Sequence, residues 1–234
     1  MNEAFLDYLV NNHLTEARKN KIFDVSSNKT EHITVVLDRL KDPKDISAII
    51  RTCECFSINS IHIIENKEKY LVNKKVSRGS FKWIKIIKYN EIRKSEQVDC
   101  ITYLKEKGYK IVHFLEKNLS VTNFNIPITS MDDLDLKQKI ALVFSDNNNE
   151  IENFIPSDEL VFIKKINDNF DFNISLNVSI ILHNLVYLLN KQKIAFKLTP
   201  EELLDLRLDW LKTELVAYNI YQERFFASYT SNKI

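Results

Sequence analysis

Short apolar runs alternate with amphipathic segments through the middle of this 234-residue chain. The runs are rich in β-branched residues, which is typical of buried strands. They predict strands at 33–37, 61–64, 84–87, 110–115, 140–144 and 160–163. Apolar residues at helical spacing predict helices at 46–56, 98–107 and 176–190, the second closed by Gly108. This alternation predicts an α/β fold with a mostly parallel sheet.

Both ends of the chain predict further helices. Residues 3–23 predict one long first helix. A C-terminal helix is predicted to start at Thr199, because Pro and Glu follow it at the positions of a capped helix start. Its apolar face continues to Tyr218, and the tail after Phe226 is expected to fray. The chain is therefore divided into an N-terminal basic helix (1–30), a core (31–192) and a C-terminal helical extension (193–234).

Composition argues against several classes of protein. Two glycines are too few for a glycine-rich phosphate loop of the GxGxxG or Walker type. No apolar run reaches the ~18 residues of a transmembrane helix, and the N-terminus lacks a signal-peptide pattern. The three cysteines and five histidines show no metal-ligand spacing. We therefore expect a cytoplasmic protein with reduced thiols, no metal site and no membrane association.

The net charge of +1 conceals an uneven distribution. Residues 67–94 carry ten Lys or Arg and two Glu, whereas residues 131–171 carry ten Asp or Glu and four Lys. Four aromatic residues are interleaved with the basic stretch. This combination favours a nucleic-acid surface, and a solvated lysine-rich loop is the alternative.

The segment DPKDISAIIRTCE at 42–54 is the first candidate for chemistry. On a helical wheel Arg51 lies about 140° from Ile46, opposite the apolar stripe, and so points away from the core. Asp45 lies at the helix start, where its side chain can cap backbone N–H groups. The helix follows a buried strand, and ligands bind at such strand ends in open α/β sheets. The alternative is a capping Asp with a solvated Arg.

Two further polar segments lie later in the chain. SDNNNEI at 145–151 directly follows a buried strand, where it is either a ligand site or a simple turn. SLNVS at 175–179 opens an apolar helix. Ser175 is a candidate N-cap, and Asn177 lies on the polar edge of the helix, where burial requires a hydrogen bond.

Together and in this order, these segments resemble the SpoU/TrmH family of SPOUT RNA 2′-O-methyltransferases. The first family motif has the form HNxSAIxRTxDA, and this chain reads KDISAIIRTCEC, with Arg51 retained. SLNVS is part of the third family motif and is unaltered here. Gly79 to Trp83 matches the family's Gly-Ser-x-x-Trp segment, and Thr15 to Lys21 matches its basic N-terminal helix.

The resemblance implies a SPOUT core with a deep C-terminal trefoil knot that binds S-adenosylmethionine. It implies a homodimer formed through the knot and the C-terminal helices. The implied reaction transfers a methyl group to the 2′-hydroxyl of a tRNA guanosine, in the D-loop. The residues implied to be catalytic are Arg51, Ser175 and Asn177. Those implied to bind the cofactor are Phe144, Ser145, Asn147, Ile166, Leu176 and Asn177. Those implied to bind RNA are Arg18, Lys21, Asp45, Lys74, Lys75, Arg78 and Lys82.

The chain departs from the family pattern in three places. Asp45 replaces the Asn of the first motif. The second motif, FGxExxG in the family, reads FSDNNNE at 144–150, and the family's Ile-Pro-Met-x-Gly reads NDNFD at 167–171. The missing glycines are those that let the backbone approach the adenosine closely. Two alternatives therefore remain, a non-catalytic RNA-binding member of the fold and a changed ligand in the knot pocket.

Overall fold

A computed structural model describes residues 1–65, 82–90, 95–115, 126–145, 156–165 and 172–231. The helices are α1 (Asn2–His13), α2 (Glu16–Ser26), α3 (Pro43–Cys55), α4 (Ser95–Glu106), α5 (Ile174–Lys191), α6 (Pro200–Glu214) and α7 (Tyr218–Ser231). The strands are β1 (Ile33–Asp38), β2 (Ser60–Glu65), β3 (Lys85–Asn90), β4 (Tyr109–Leu115), β5 (Ile128–Ser130), β6 (Lys139–Ser145) and β7 (Glu159–Phe162).

The described strands form one sheet in the order β3-β2-β1-β6-β4-β7-β5, and all of its recorded pairings are parallel. The predicted α/β fold is confirmed, and each predicted strand is present to within one or two residues or, for β3, three at its C-terminal end. The sequence missed β5, because three residues are too few to show an alternating pattern. The carboxyl ends of parallel strands meet at one edge of the sheet, where the chain places its polar segments.

Helices cover both faces of the sheet. Successive side chains of a strand point to opposite faces, so Leu142 and Phe144 of β6 join one core cluster and Ala141 and Val143 join another. The first cluster includes buried residues of α3 and α5, and the second includes those of α4. The predicted end of α4 is confirmed to within one residue, since the helix ends at Glu106 and Gly108 takes a left-handed φ of 79° two residues later.

The structure divides into two compact units, Thr30–Phe196 and a terminal unit of Met1–Lys29 with Lys197–Ile234. The single helix expected over 3–23 is wrong, because the chain is extended at Leu14 and a new helix starts after it. The side chain of Thr15 caps this second helix by accepting a hydrogen bond from the Arg18 N–H. A local capping signal therefore interrupts the helical pattern.

The predicted start of α6 is confirmed, with a capping box between Thr199 and Glu202. The continuous helix to Tyr218 is wrong, since α6 ends at Glu214 and α7 begins at Tyr218. The fraying expected after Phe226 is also wrong as far as Ser231. In α7, the rings of Tyr218, Phe225 and Phe226 lie 5.3–5.6 Å from that of Phe5. Contacts between opposite ends of the chain thus stabilise α7, and no local pattern reveals them.

In the described part of the chain, no helix combines the length and hydrophobicity needed to cross a membrane.

Candidate functional site

Helix α3 presents Arg51 to solvent, as the helical wheel predicts. Ile46, Ile49 and Ile50 are buried on the opposite side and join the core. The N-cap is Asp42, whose carboxylate accepts a hydrogen bond from the Lys44 N–H at 2.7 Å. The expectation that Asp45 caps the helix is therefore wrong. Pro is favoured at the first helical position, so α3 begins at residue 43 and leaves Asp45 half-buried in its first turn.

Helix α5 carries the SLNVS segment. Its N-cap is Asn173, whose Oδ1 accepts hydrogen bonds from the Leu176 N–H at 2.9 Å and from Ser175 Oγ at 3.2 Å. The proposal that Ser175 is the cap is therefore wrong by two residues. Asn177 is buried, and its side-chain amide donates to the Phe172 carbonyl at 3.4 Å. This hydrogen bond meets the requirement that burial places on an Asn.

Helices α3 and α5 pack together, and the hydroxyls of Thr52 and Ser179 lie 3.3 Å apart across their contact. Beside this contact is a cleft of about 360 Å³. Its lining residues are Ala48, Arg51, Thr52, Cys55, Phe56 and Ser179. The structure thus places the arginine of the first motif in the same cleft as the last residue of the SLNVS segment. Ser175 and Asn177 do not line this cleft.

Helix α5 also lines a larger cavity, of about 500 Å³, and Ser179 borders both this cavity and the cleft. Met131, Asp132, Ile163 and Lys164 contribute to it from the ends of β5 and β7. The Asn184 amide donates to the Asp132 carboxylate at 3.1 Å across it. No sequence pattern pointed to Asp132. Only its position directly after a strand could have indicated it, and β5 is too short to recognise.

The end of β6 carries two of the predicted cofactor residues. Phe144 is fully buried, and its ring lies 5.6 Å from that of Phe114, so its side chain belongs to the core. Ser145 faces the other side of the sheet and is also buried, with its Oγ 3.1 Å from His113 Nε2. The pKa of His113 is lowered to about 3 by burial, with a smaller contribution from the charge of Arg39. The imidazole is therefore neutral near pH 7. The two other cofactor predictions, Asn147 and Ile166, lie outside the described residues.

The residues predicted to bind RNA are spread over several elements. Lys21 on α2 and Lys82 before β3 are exposed, and Arg18 forms an ion pair with Glu214 inside the terminal unit. Lys74, Lys75 and Arg78 lie outside the described residues, as does most of the basic stretch. The charge that the sequence places at 67–94 is thus represented here mainly by Lys82, Lys85 and Lys88.

The described groups fit S-adenosylmethionine, the cofactor that the resemblance implies. The side chain of Leu176 is 44% exposed on the first turn of α5, next to the Asn177 amide. An adenosine combines an apolar ring with hydrogen-bonding groups, and Leu176 offers the apolar contact, whereas the buried Asn177 amide donates to the Phe172 carbonyl. No cluster of three or more potential metal ligands occurs within the described ranges.

A model of the SpoU rRNA Methylase family matches residues 32–183, which is more than half of the chain. The chain belongs to this family. The match includes α3, the whole of the described sheet and the first part of α5, so it covers every residue that lines the cleft.

Individual relatives of this SpoU chain agree with that assignment. It is 28% identical over 211 residues to a tRNA (guanosine(18)-2′-O)-methyltransferase of Borreliella burgdorferi, covering 89% of this chain and 91% of the relative. The Aquifex aeolicus TrmH/SpoU tRNA modifying enzyme has the same fold, with a TM-score of 0.69 at 20% identity over 86% of this chain and 98% of that one. The SpoU methyltransferase AviRb of Streptomyces viridochromogenes, in complex with AdoMet, aligns with a TM-score of 0.56 at 17% identity, over 72% and 64% of the two chains.

Proposed function

We propose that this protein is a tRNA 2′-O-methyltransferase that transfers a methyl group from S-adenosylmethionine to a guanosine 2′-hydroxyl in the D-loop. The observation that carries the proposal is the cleft between α3 and α5, where Arg51 of the first motif and Ser179 of the third motif lie together. Membership of the SpoU family and the tRNA methyltransferase named among the relatives support the same activity.

Arg51 is the residue to which we assign the largest role in the reaction. A guanidinium keeps its positive charge throughout the physiological pH range. Because Arg51 is exposed at the cleft, it is able to bind an RNA phosphate and stabilise negative charge that develops on the ribose oxygen. Ser175 and Asn177 hold the first turn of α5 through their hydrogen bonds to Asn173 and Phe172. The cofactor, when bound, supplies the electrophilic methyl group.

We assign cofactor binding to the carboxyl edge of the sheet, through Leu176, Asn177, Ser145 and the backbone of Phe144. A trefoil knot formed by the chain beyond β4 is part of this proposal. The sheet order supports it, because the chain passes from β5 at one edge back to β6 in the centre and then returns to β7. In this proposal the core segment 31–192 serves catalysis. The two terminal parts, 1–30 and 193–234, serve RNA binding.

A homodimer is the assembly we propose, in the cytoplasm, where tRNA is available and free thiols persist. The exposed face of α5 supports it: Tyr187 is 56% exposed, two helical turns after half-buried Ile180. Light scattering on the purified protein is expected to give twice the chain mass. Tyr187→Glu is expected to shift it towards the monomer.

Labelled S-adenosylmethionine and unmodified tRNA test the proposed activity. We expect label in tRNA, recovered after digestion as 2′-O-methylguanosine from the D-loop. Folded protein that transfers no label would contradict the proposal. Salt-dependent binding of tRNA without cofactor binding in calorimetry would instead identify the non-catalytic alternative.

A further inference from the structure

His113 and Ser145 form a buried hydrogen-bonded pair on the α4 side of the sheet. In the parallel pairing of β4 with β6, His113 lies opposite Val143, two residues before Ser145. Both side chains therefore point to the same face, and His113 Nε2 lies 3.1 Å from Ser145 Oγ. His113 has no exposed surface, and Ser145 is 5% exposed. The pair is thus shielded from water directly below the carboxyl edge of the sheet.

His113 lies among apolar side chains on its face of the sheet, with the charge of Arg39 close enough to lower its pKa. Ile111, Ala141 and Val143 lie on the same face and belong to its core cluster. An apolar side chain here would avoid the free-energy cost of burying an imidazole, whose pKa burial lowers to about 3. A neutral imidazole offers one donor and one acceptor, and a serine hydroxyl can complement either. Ser145 is thus a hydrogen-bond partner that suits a neutral histidine at this place.

The end of the neighbouring strand β1 lies beside Ser145. Ser145 is in register with Asp38, the last residue of β1. Both carboxylate oxygens of Asp38 accept hydrogen bonds from Arg39, at 2.9 Å each. Arg39 thus holds the carboxylate beside Ser145, while His113 holds the hydroxyl.

Ser145 occupies the place of the first glycine of the second motif. A glycine there has no side chain to satisfy, whereas a buried serine hydroxyl costs about 1–3 kcal/mol if it lacks a hydrogen-bond partner. We propose that His113 is a positioning residue, which binds the Ser145 hydroxyl so that the main chain at the end of β6 keeps the position needed to bind S-adenosylmethionine. This inference rests on the proposed function.

Calorimetric titration of the full chain with S-adenosylmethionine tests this role. Ser145→Ala and His113→Leu are each expected to raise the Kd about 3- to 10-fold, as expected for one net hydrogen bond. In steady-state assays the KM for the cofactor rises while kcat changes less. His113→Gln, which keeps an amide able to reach Ser145, is expected to restore much of the affinity.

The decisive comparison measures the effect of His113→Leu in the wild type and in Ser145→Gly, which lacks the hydroxyl that His113 contacts. In that background, His113→Leu is expected to change the Kd less than twofold. Thr34→Val is the matched control: it removes another buried hydroxyl hydrogen bond, 2.9 Å from the Ser60 carbonyl, near the opposite end of β1. It is expected to lower the melting temperature and leave the Kd unchanged. Ser145→Ala removes a single hydroxyl, so its Kd can be compared with that of the wild type even if His113→Leu does not fold.

Two results would overturn the inference. One is that Ser145→Ala and His113→Leu affect the Kd no more than Thr34→Val does. The other is that His113→Leu weakens binding equally with serine or glycine at position 145. A wild-type protein that neither binds cofactor nor methylates tRNA would be a different result, since it rejects the proposed function and this inference with it.

Discussion

Arg51, at the cleft between α3 and α5, is exposed, whereas His113, behind the carboxyl end of β6, is fully buried. In the cleft, the guanidinium of Arg51 carries a permanent positive charge exposed to water. It lies beside the two hydroxyls that link the helices. The β6 end instead contains a neutral imidazole and a serine hydroxyl within a closed core. An exposed cation can meet a phosphate without a large desolvation cost, whereas a buried pair can hold the backbone in one position. The two regions are therefore suited to different tasks, charge recognition and positioning.

The largest expected effect is a loss of methyl transfer when the cleft loses its charge. Arg51→Ala is expected to reduce methyl transfer about 100- to 1000-fold, the range for loss of one group that stabilises transition-state charge. Stability should change little, because the side chain is exposed. Single-turnover transfer of labelled methyl to tRNA measures the effect. Lys44→Ala removes another exposed cation from α3, and an equal loss in that variant would contradict a specific role for Arg51.

The second prediction concerns pH and isolates the buried region. Burial lowers the pKa of His113 from 6.5 to about 3 and that of His62 from 6.5 to about 4, the latter with a smaller contribution from Lys85. The unfolded chain therefore binds more protons below pH 6.5, so stability falls as the pH decreases from 6.5 towards 4. The slope is up to about 1.4 kcal/mol per pH unit for each histidine.

Urea unfolding at pH 7, 6 and 5 measures this slope. His113→Leu is expected to give a shallower pH dependence than the wild type, although it has lower stability at pH 7. Identical slopes in the two proteins would show that His113 does not titrate as its burial requires.

The third prediction tests how firmly α5 supports the cleft. Asn173→Ala removes the cap that binds the Leu176 N–H and should lower the free energy of unfolding by about 1 kcal/mol. Asn190→Ala is the matched control, because its amide binds only a carbonyl one turn earlier, at the exposed far end of the same helix. Its effect should stay within about 0.5 kcal/mol. Equal effects in urea unfolding would mean that the cap contributes nothing special.

The smallest expected effect is at the contact between the helices. Ser179→Ala removes the hydroxyl that lies 3.3 Å from Thr52 Oγ1, and it should cost less than about 1 kcal/mol. A shift of the cleft wall should lower kcat about two- to fivefold, because small misplacements in an active site reduce the rate. Ser228→Ala in α7 is the matched control. The Ser228 hydroxyl, like that of Ser179, donates to a backbone carbonyl within its own helix. Activity reduced equally in both variants would contradict a role for the Thr52 contact.

Much of the fold follows from local patterns. The β-branched runs predicted β1, β2, β4, β6 and β7 closely, because the burial of a strand on both faces leaves a continuous apolar run in the sequence. Helix ends were predicted less well. Asp42 and Asn173 are the caps where Asp45 and Ser175 were expected, since several polar residues near a helix start can each serve as a cap.

The candidate site was only partly accessible from the sequence. The exposure of Arg51 followed from helical periodicity, and the third motif identified the start of α5. The sequence could not show that Ser179, and not Ser175, lines the cleft with Arg51, because that depends on how α3 and α5 cross. No motif in the sequence pointed to His113, since the hydroxyl that it contacts lies 32 positions later in the chain.

The sequence by itself determined the alternation of strands and helices, the apolar faces that they bury and the exposure of Arg51. These properties depend on residues within a few positions of one another. Only the tertiary structure decided the order of the strands in the sheet, the cleft between α3 and α5 and the pairing of His113 with Ser145. Each of these depends on register and packing between segments distant in sequence, where a displacement of one residue would turn a strand's side chains to the opposite face.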